Sequence, residues 1–219
     1  MNTTIILVLA LVCISVYFIV QYKSNFEKRL AYHTPRLLTP ERQEYIRGAK
    51  RYIKKVSLII GLFMGIPLMI MCAFLLPDVG VPMIFLLIIF LMVIECLGIY
   101  LLYCFFKRNI KNQQALLEQM NDSDFQVLLC VQKELYLFKY FPPFILCKDK
   151  LYLFTFLTVQ EINPEKIKKV SLVYLRAGDV TVHIKSTKST SIAMHRNVYS
   201  ILVEIIKRYS PDAQVEMLK

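Results

Sequence analysis

Positive charge is missing from long stretches of this chain, and its placement limits the possible folds more than any other feature. All 27 Lys and Arg residues lie in two blocks, 23–55 and 107–219. The remainder holds three apolar runs, Ile5–Val20, Val56–Leu76 and Met83–Phe106, and the link between the last two carries a single charge, Asp78. A helix needs roughly 20 apolar residues to cross a hydrocarbon core of ~30 Å. Long apolar runs with basic residues confined to alternate connections therefore predict a membrane protein with three transmembrane helices, at about 4–21, 56–76 and 83–106. Hydrophobic residues make up 56% of the chain, more than a soluble domain ordinarily carries, and the mean hydropathy of +0.49 agrees.

Counting Lys and Arg also gives the expected orientation. The connector 22–55 carries ten basic residues against Glu27, Glu41 and Glu44, whereas residues 1–4 and 77–82 carry no Lys or Arg. The positive-inside rule then expects a multi-pass protein of the cell membrane, with its N-terminus outside and its connector and C-terminal domain cytoplasmic. A cleaved signal peptide is the competing reading of residues 1–21. It is disfavoured because no basic region precedes the apolar run and no A-x-A-like exit follows it. The net charge of +11 could suggest nucleic acid. Attraction of basic connections to anionic headgroups accounts for it more simply, so no nucleic-acid partner is expected.

The first region, 1–121, comprises the spans, the basic connector and a helical stalk over 107–121. Thr39-Pro40 reads as N-cap and first helical position, with Glu41 and Glu44 in the first turn. That helix is expected to continue into the second span. Beyond Asn121-Asp-Ser-Asp the composition shifts to strands, expected near Gln126–Val131, Glu134–Tyr140, Phe144–Lys148, Leu151–Leu157, Lys169–Arg176, Val180–Ser186 and Thr190–Met194. Val180, Val182 and Ile184 alternate with Thr181, His183 and Lys185, which gives one core face and one wet face. Asn197 is the expected N-cap of a closing helix, whose apolar stripe is Val198, Ile201, Leu202, Ile205 and Tyr209.

The Lys148-Asp-Lys-Leu-Tyr-Leu-Phe154 hairpin, followed by Ile162–Val170 with the pattern Ile-x-x-x-x-Ile-x-x-Val, resembles the bacterial pleckstrin-homology-like domains over about residues 125–215. The resemblance implies a half-open barrel of two antiparallel sheets, plugged by the helix, in a module that binds or assembles rather than catalyses. The expected fold is thus an α+β membrane protein: three transmembrane helices, then a cytosolic antiparallel PH-like β half-barrel over 122–219 closed by a C-terminal helix.

Few residues invite a chemical role. Glu95 is the lone charged side chain inside the three runs, and a carboxylate at such depth seeks a proton, a partner or water. Depth matching places Gly65–Pro67 opposite it, with Ser15 and Tyr17 of the first span at similar depth. Pro67 cannot donate to the carbonyl of Phe63, which leaves an acceptor for a protonated Glu95. An interhelical hydrogen bond, a proton or ion relay and a subunit contact are the three readings. Gly61 and Gly65 form a G-x-x-x-G surface suited to close helix packing, within the bundle or between copies. Lys166, Lys168 and Lys169 are the densest basic cluster of the β domain, either a solvated edge or a contact for anionic lipid or an acidic partner.

No catalytic motif, metal-ligand spacing or cofactor-binding loop is found, and His33, His183 and His195 lack zinc spacing. Six cysteines without a C-x-x-C pair read as reduced thiols. The expected function is non-enzymatic, without cofactor: a membrane-held scaffold presenting its β domain to a protein partner or the inner leaflet, with the lipid bilayer as partner and a homo-oligomer open. A transport or channel subunit using Glu95, and an accessory or immunity factor, are the alternatives.

Overall fold

Alternation along Val180, Val182 and Ile184 buries one side of a strand and leaves the other wet, and that pattern organises the C-terminal half of the chain. The computed structural model describes residues 23–30, 32, 34–75, 81–136, 138–155, 158–175 and 178–218. Among these are five helices, one 3₁₀ turn and two sheets. They fall into two compact units, one containing Gln43–Lys111 and the other Lys23–Arg42 with Asn112–Lys219. The segment 23–42 thus groups with the β-rich unit.

In the β-rich unit, β1 (Phe144–Cys147), β2 (Lys150–Phe154) and β3 (Val159–Ile162) form an antiparallel sheet in that order. Lys148 and Asp149, with φ of 50° and 59°, make the two-residue turn from β1 to β2. Both central residues at positive φ match the right-handed twist of a hairpin. The second sheet has the order β6-β5-β4-β7, built from β4 (Lys169–Tyr174), β5 (Asp179–Lys185), β6 (Ser189–His195) and β7 (Gln214–Leu218). Thr190 Oγ1 on β6 donates to Gln160 Oε1 on β3 at 2.6 Å and links the two sheets.

The closing helix, α5 (Arg196–Tyr209), buries Val198, Leu202, Ile205 and Ile206 in a core shared with both sheets. Its N-cap is His195, whose Nδ1 accepts from Asn197 N, two residues before the expected cap. After α5 the chain returns as β7, which pairs parallel to β4. A parallel neighbour requires a crossover connection, and here α5 supplies part of it. The sheet is therefore mixed, not wholly antiparallel.

A second correction concerns the start of this unit. Strands expected at Gln126–Val131 and Glu134–Tyr140 are absent; α4 (Asp122–Glu134) occupies the first, and the described residues of 135–143 form turns and irregular chain. Asn121 Oδ1 accepts from Asp124 N at 2.7 Å, which caps the helix, and Asp122 and Asp124 occupy the first turn. Phe125, Leu128, Val131 and Gln132 are buried at helical spacing, so periodicity outweighs the β propensity of the side chains.

The segment 23–42 is tied to this unit by charge and aromatic contact. Helix α1 (Asn25–Leu30) opens with a capping box: Glu27 N donates to Ser24 Oγ at 3.3 Å, and Ser24 N to Glu27 Oε2 at 2.8 Å. Phe26 packs on Tyr152 with ring centroids 5.3 Å apart, and Glu161 pairs with both Arg29 and Lys150. The buried Arg42 donates to the Leu117 carbonyl at 3.0 Å and to Asp122 at 2.6 Å. Its guanidinium also lies 5.5 Å from the Phe125 ring centroid.

The other unit is built on α2 (Pro40–Leu75) and α3 (Val81–Leu117). Among the described residues, no helix is long and apolar enough to cross a membrane. The start of α2 is densely charged, with Glu41, Arg42, Glu44, Arg47, Lys50, Arg51, Lys54 and Lys55. Three transmembrane helices, an integral membrane protein and a cell-membrane location with the N-terminus outside are therefore corrected: the described residues form an α+β architecture of five helices and two sheets. The expected first span, 4–21, lies outside the described residues.

Two outcomes test this packing. Leu202 is fully buried in the shared core, so Leu202→Ala should destabilise the protein by about 2–5 kcal/mol in chemical denaturation. Partial burial raises the Glu161 carboxyl, but hydrogen bonds from Lys150 and Arg29 outweigh it and hold the group below its ordinary 4.5. A depressed carboxylate stabilises the fold above its unfolded value and loses that contribution as pH falls through the folded value. Acid unfolding of Glu161→Gln should accordingly show a shallower loss of stability below pH 4.5 than the parent chain.

Candidate functional site: a basic cleft in the β-rich unit

Ile167 is almost completely buried, and its carbonyl accepts from Ser210 Oγ at 3.0 Å. Anchoring it turns its neighbours Lys166 and Lys168 outward. Upstream, the 3₁₀ turn Pro164–Lys166 is capped by Asn163, whose Oδ1 accepts from Glu165 N at 3.0 Å. Downstream, Lys168 N donates to the Lys185 carbonyl at 3.0 Å, and the Lys168 carbonyl accepts from Gln214 N at 3.0 Å. One residue thus stitches the start of β4 to the end of β5 and the start of β7.

These strand ends enclose a cleft of about 750 Å³. Lys166, Lys168, Lys169 and Lys185 line it with Ser186, Thr187, Ser210 and Gln214, and Glu165 and Asp212 are the acidic members of the lining. Lys169 lies directly opposite Lys185 in the β4–β5 ladder. Like charges so placed are destabilising. Lys169 finds compensation in Glu216 of β7, 2.6 Å away. Among the described residues, no ion pair engages Lys166, Lys168 or Lys185. The cleft therefore presents ammonium groups and hydroxyls to an incoming anion.

The three lysines singled out in the sequence, Lys166, Lys168 and Lys169, are brought together here. Lys185 is the member that sequence reasoning missed. Its signal was the hairpin itself: β4 and β5 pair Tyr174 with Val180, and counting back along both strands puts Lys169 against Lys185.

Glu95 and the glycine pair belong to the helical unit. A Cβ placed on Gly65 would lie 3.0 Å from Glu95 Oε1, and one on Gly61 would lie 3.2 Å from Ile99 Cδ1. Four residues forward on α2 match four residues back on α3, so the two helices run antiparallel with the glycine face turned toward α3. Pro67 lies within α2, at a position whose side chain is not among those described. Ser15 and Tyr17 lie outside the described residues.

Other chemistry-bearing groups are structurally occupied. Cys147 is buried, and desolvation followed by the nearby Asp124 charge pushes its thiol up to about 11, which disfavours the reactive thiolate at neutral pH. His183 Nδ1 and Ser191 Oγ share a hydrogen bond of 2.6 Å across β5 and β6. Among the described residues, no group of three or more His, Cys, Asp or Glu could hold a metal ion.

No protein family, no curated protein and no solved structure matches this chain.

The close approach at Gly65 makes a graded prediction. Gly65→Ala should be tolerated, because the carboxylate is the end of a flexible side chain that can swing aside. Gly65→Leu should cost about 1–3 kcal/mol in thermal or chemical unfolding, as overpacking does.

Proposed function

We propose that this protein is a non-enzymatic binding or scaffold module whose β-rich unit holds an acidic segment of a protein partner in the basic cleft. The observation that carries this reading is the convergence of four lysines at the ends of β4 and β5, three of them without an ion pair among the described residues. Ammonium groups on flexible stems suit a partner that presents carboxylates in varied geometry, since Lys acts as a point charge rather than a planar fork. The hydroxyls of Ser186 and Thr187 and the side-chain amide of Gln214 add donors on the same wall. Electrostatic complementarity of this kind contributes to encounter rate and partner choice more than to raw affinity.

The resemblance of the Lys148–Phe154 hairpin and the Ile162–Val170 segment to bacterial pleckstrin-homology-like domains supports the same class of role. Two sheets sharing one core with a closing helix form a rigid frame, and the cleft lies where several strand ends meet.

The test is anisotropy of a fluorescent oligoglutamate peptide titrated with the full chain. Binding should weaken steeply as salt rises. Reversing Lys166, Lys168 and Lys185 to Glu should weaken it by about tenfold or more. Unchanged binding in that variant, or no binding by the parent chain at low salt, would rule the proposal out.

A further inference from the structure

A second concentration of uncompensated positive charge lies on the helix pair. Gly61 faces Ile99 and Gly65 faces Glu95, and the same antiparallel register carried toward the start of α2 sets Ile53 against Lys107 and Lys50 against Ile110. These four residues, with Lys54 and Tyr103, line one pocket of about 170 Å³. Ile53 and Ile110 are buried there, whereas Lys50, Lys54, Lys107 and Tyr103 are exposed.

Lys50 and Lys54 are four apart on one helix, a spacing at which like charges repel. Lys107 adds a third ammonium from the facing helix. No carboxylate lines the pocket, and among the described residues none of the three lysines takes part in an ion pair. We propose that this pocket binds a phosphate group, with Lys50, Lys54 and Lys107 donating to its oxygens and the Tyr103 hydroxyl as a further donor. A compact, multiply charged oxyanion answers three converging point charges better than a single carboxylate does, because each oxygen can accept from a different ammonium. The apolar isoleucines limit competition from water on the inner side, which strengthens these contacts. The site is independent of the β-rich cleft, since the two share no residue.

The phosphate can come from a free solute or from a lipid headgroup, and two arms separate these sources. Inorganic pyrophosphate should raise the Tm of the full chain in a dose-dependent way. Flotation with phosphatidylcholine vesicles, with and without phosphatidic acid, reports on the headgroup. Binding in either arm that falls by about tenfold or more in Lys50→Gln/Lys54→Gln/Lys107→Gln, and persists in the Lys166, Lys168, Lys185 reversal, upholds the site. Binding in neither arm overturns it, as does binding that survives the triple substitution. Relief of the lysine repulsion should keep the triple variant at least as stable as the parent without anions, so a loss of binding with an unchanged circular dichroism spectrum is read as loss of the site. Tyr103→Phe, with all three charges kept, should show a smaller weakening.

Discussion

Burial of one helical stripe holds the β-rich unit together. Val198, Leu202, Ile205 and Ile206 of α5 enter the same core as Leu151 and Leu153 of the first sheet and Val180, Val182 and Ile184 of the second. Two small sheets with apolar inner faces would be marginal alone, because each leaves that face wet. One helix that covers both converts them into a single packed body. The crossover through α5 also allows β7 to return beside β4, and that return brings Gln214 to the basic cleft and Glu216 to Lys169.

Charge acts as fastening around that core. Glu161 receives Arg29 from α1 and Lys150 from β2, and Arg42 reaches the Leu117 carbonyl at the end of α3 and Asp122 at the start of α4. The first part of the basic connector 22–55, residues 23–42, is thereby an integral part of the β-rich unit. Asp124 works with the opposite pH sign to Glu161. Burial, only partly offset by the Lys148 backbone hydrogen bond, raises it, so its neutral form is favoured in the fold and its contribution grows as pH falls.

Positive charge thus has two fates in this molecule. Some of it is spent on internal pairs, as at Arg29, Lys150 and Lys169. Elsewhere it converges without an ion pair among the described residues, at Lys166, Lys168 and Lys185 and again at Lys50, Lys54 and Lys107. Net charge alone makes no distinction between these groups, because it counts residues without regard to which neighbours fold against them.

Much of the β architecture was legible residue by residue. The alternation in β5, the Lys148-Asp149 turn and the stripe of α5 are local signals, and local signals survive whatever packs around them. Gln126–Val131 was misread because its Val and Leu content suits a strand, while the Asn121 cap and the three-to-four spacing of its buried residues make it a helix. β7 carried no readable signal: its described residues are all exposed, and only the crossover through α5 pairs it with β4. The apolar runs suggested membrane spans because hydropathy reads composition over a window. Among the described residues no helix meets the length and apolarity that crossing demands. By itself the sequence determined strand alternation, turn positions and the clustering of Lys166, Lys168 and Lys169. Only tertiary structure decided that Lys185 completes their cleft, that Glu216 neutralises Lys169, and that Lys107 lines one pocket with Lys50 and Lys54, because these meetings depend on register between segments far apart in the chain.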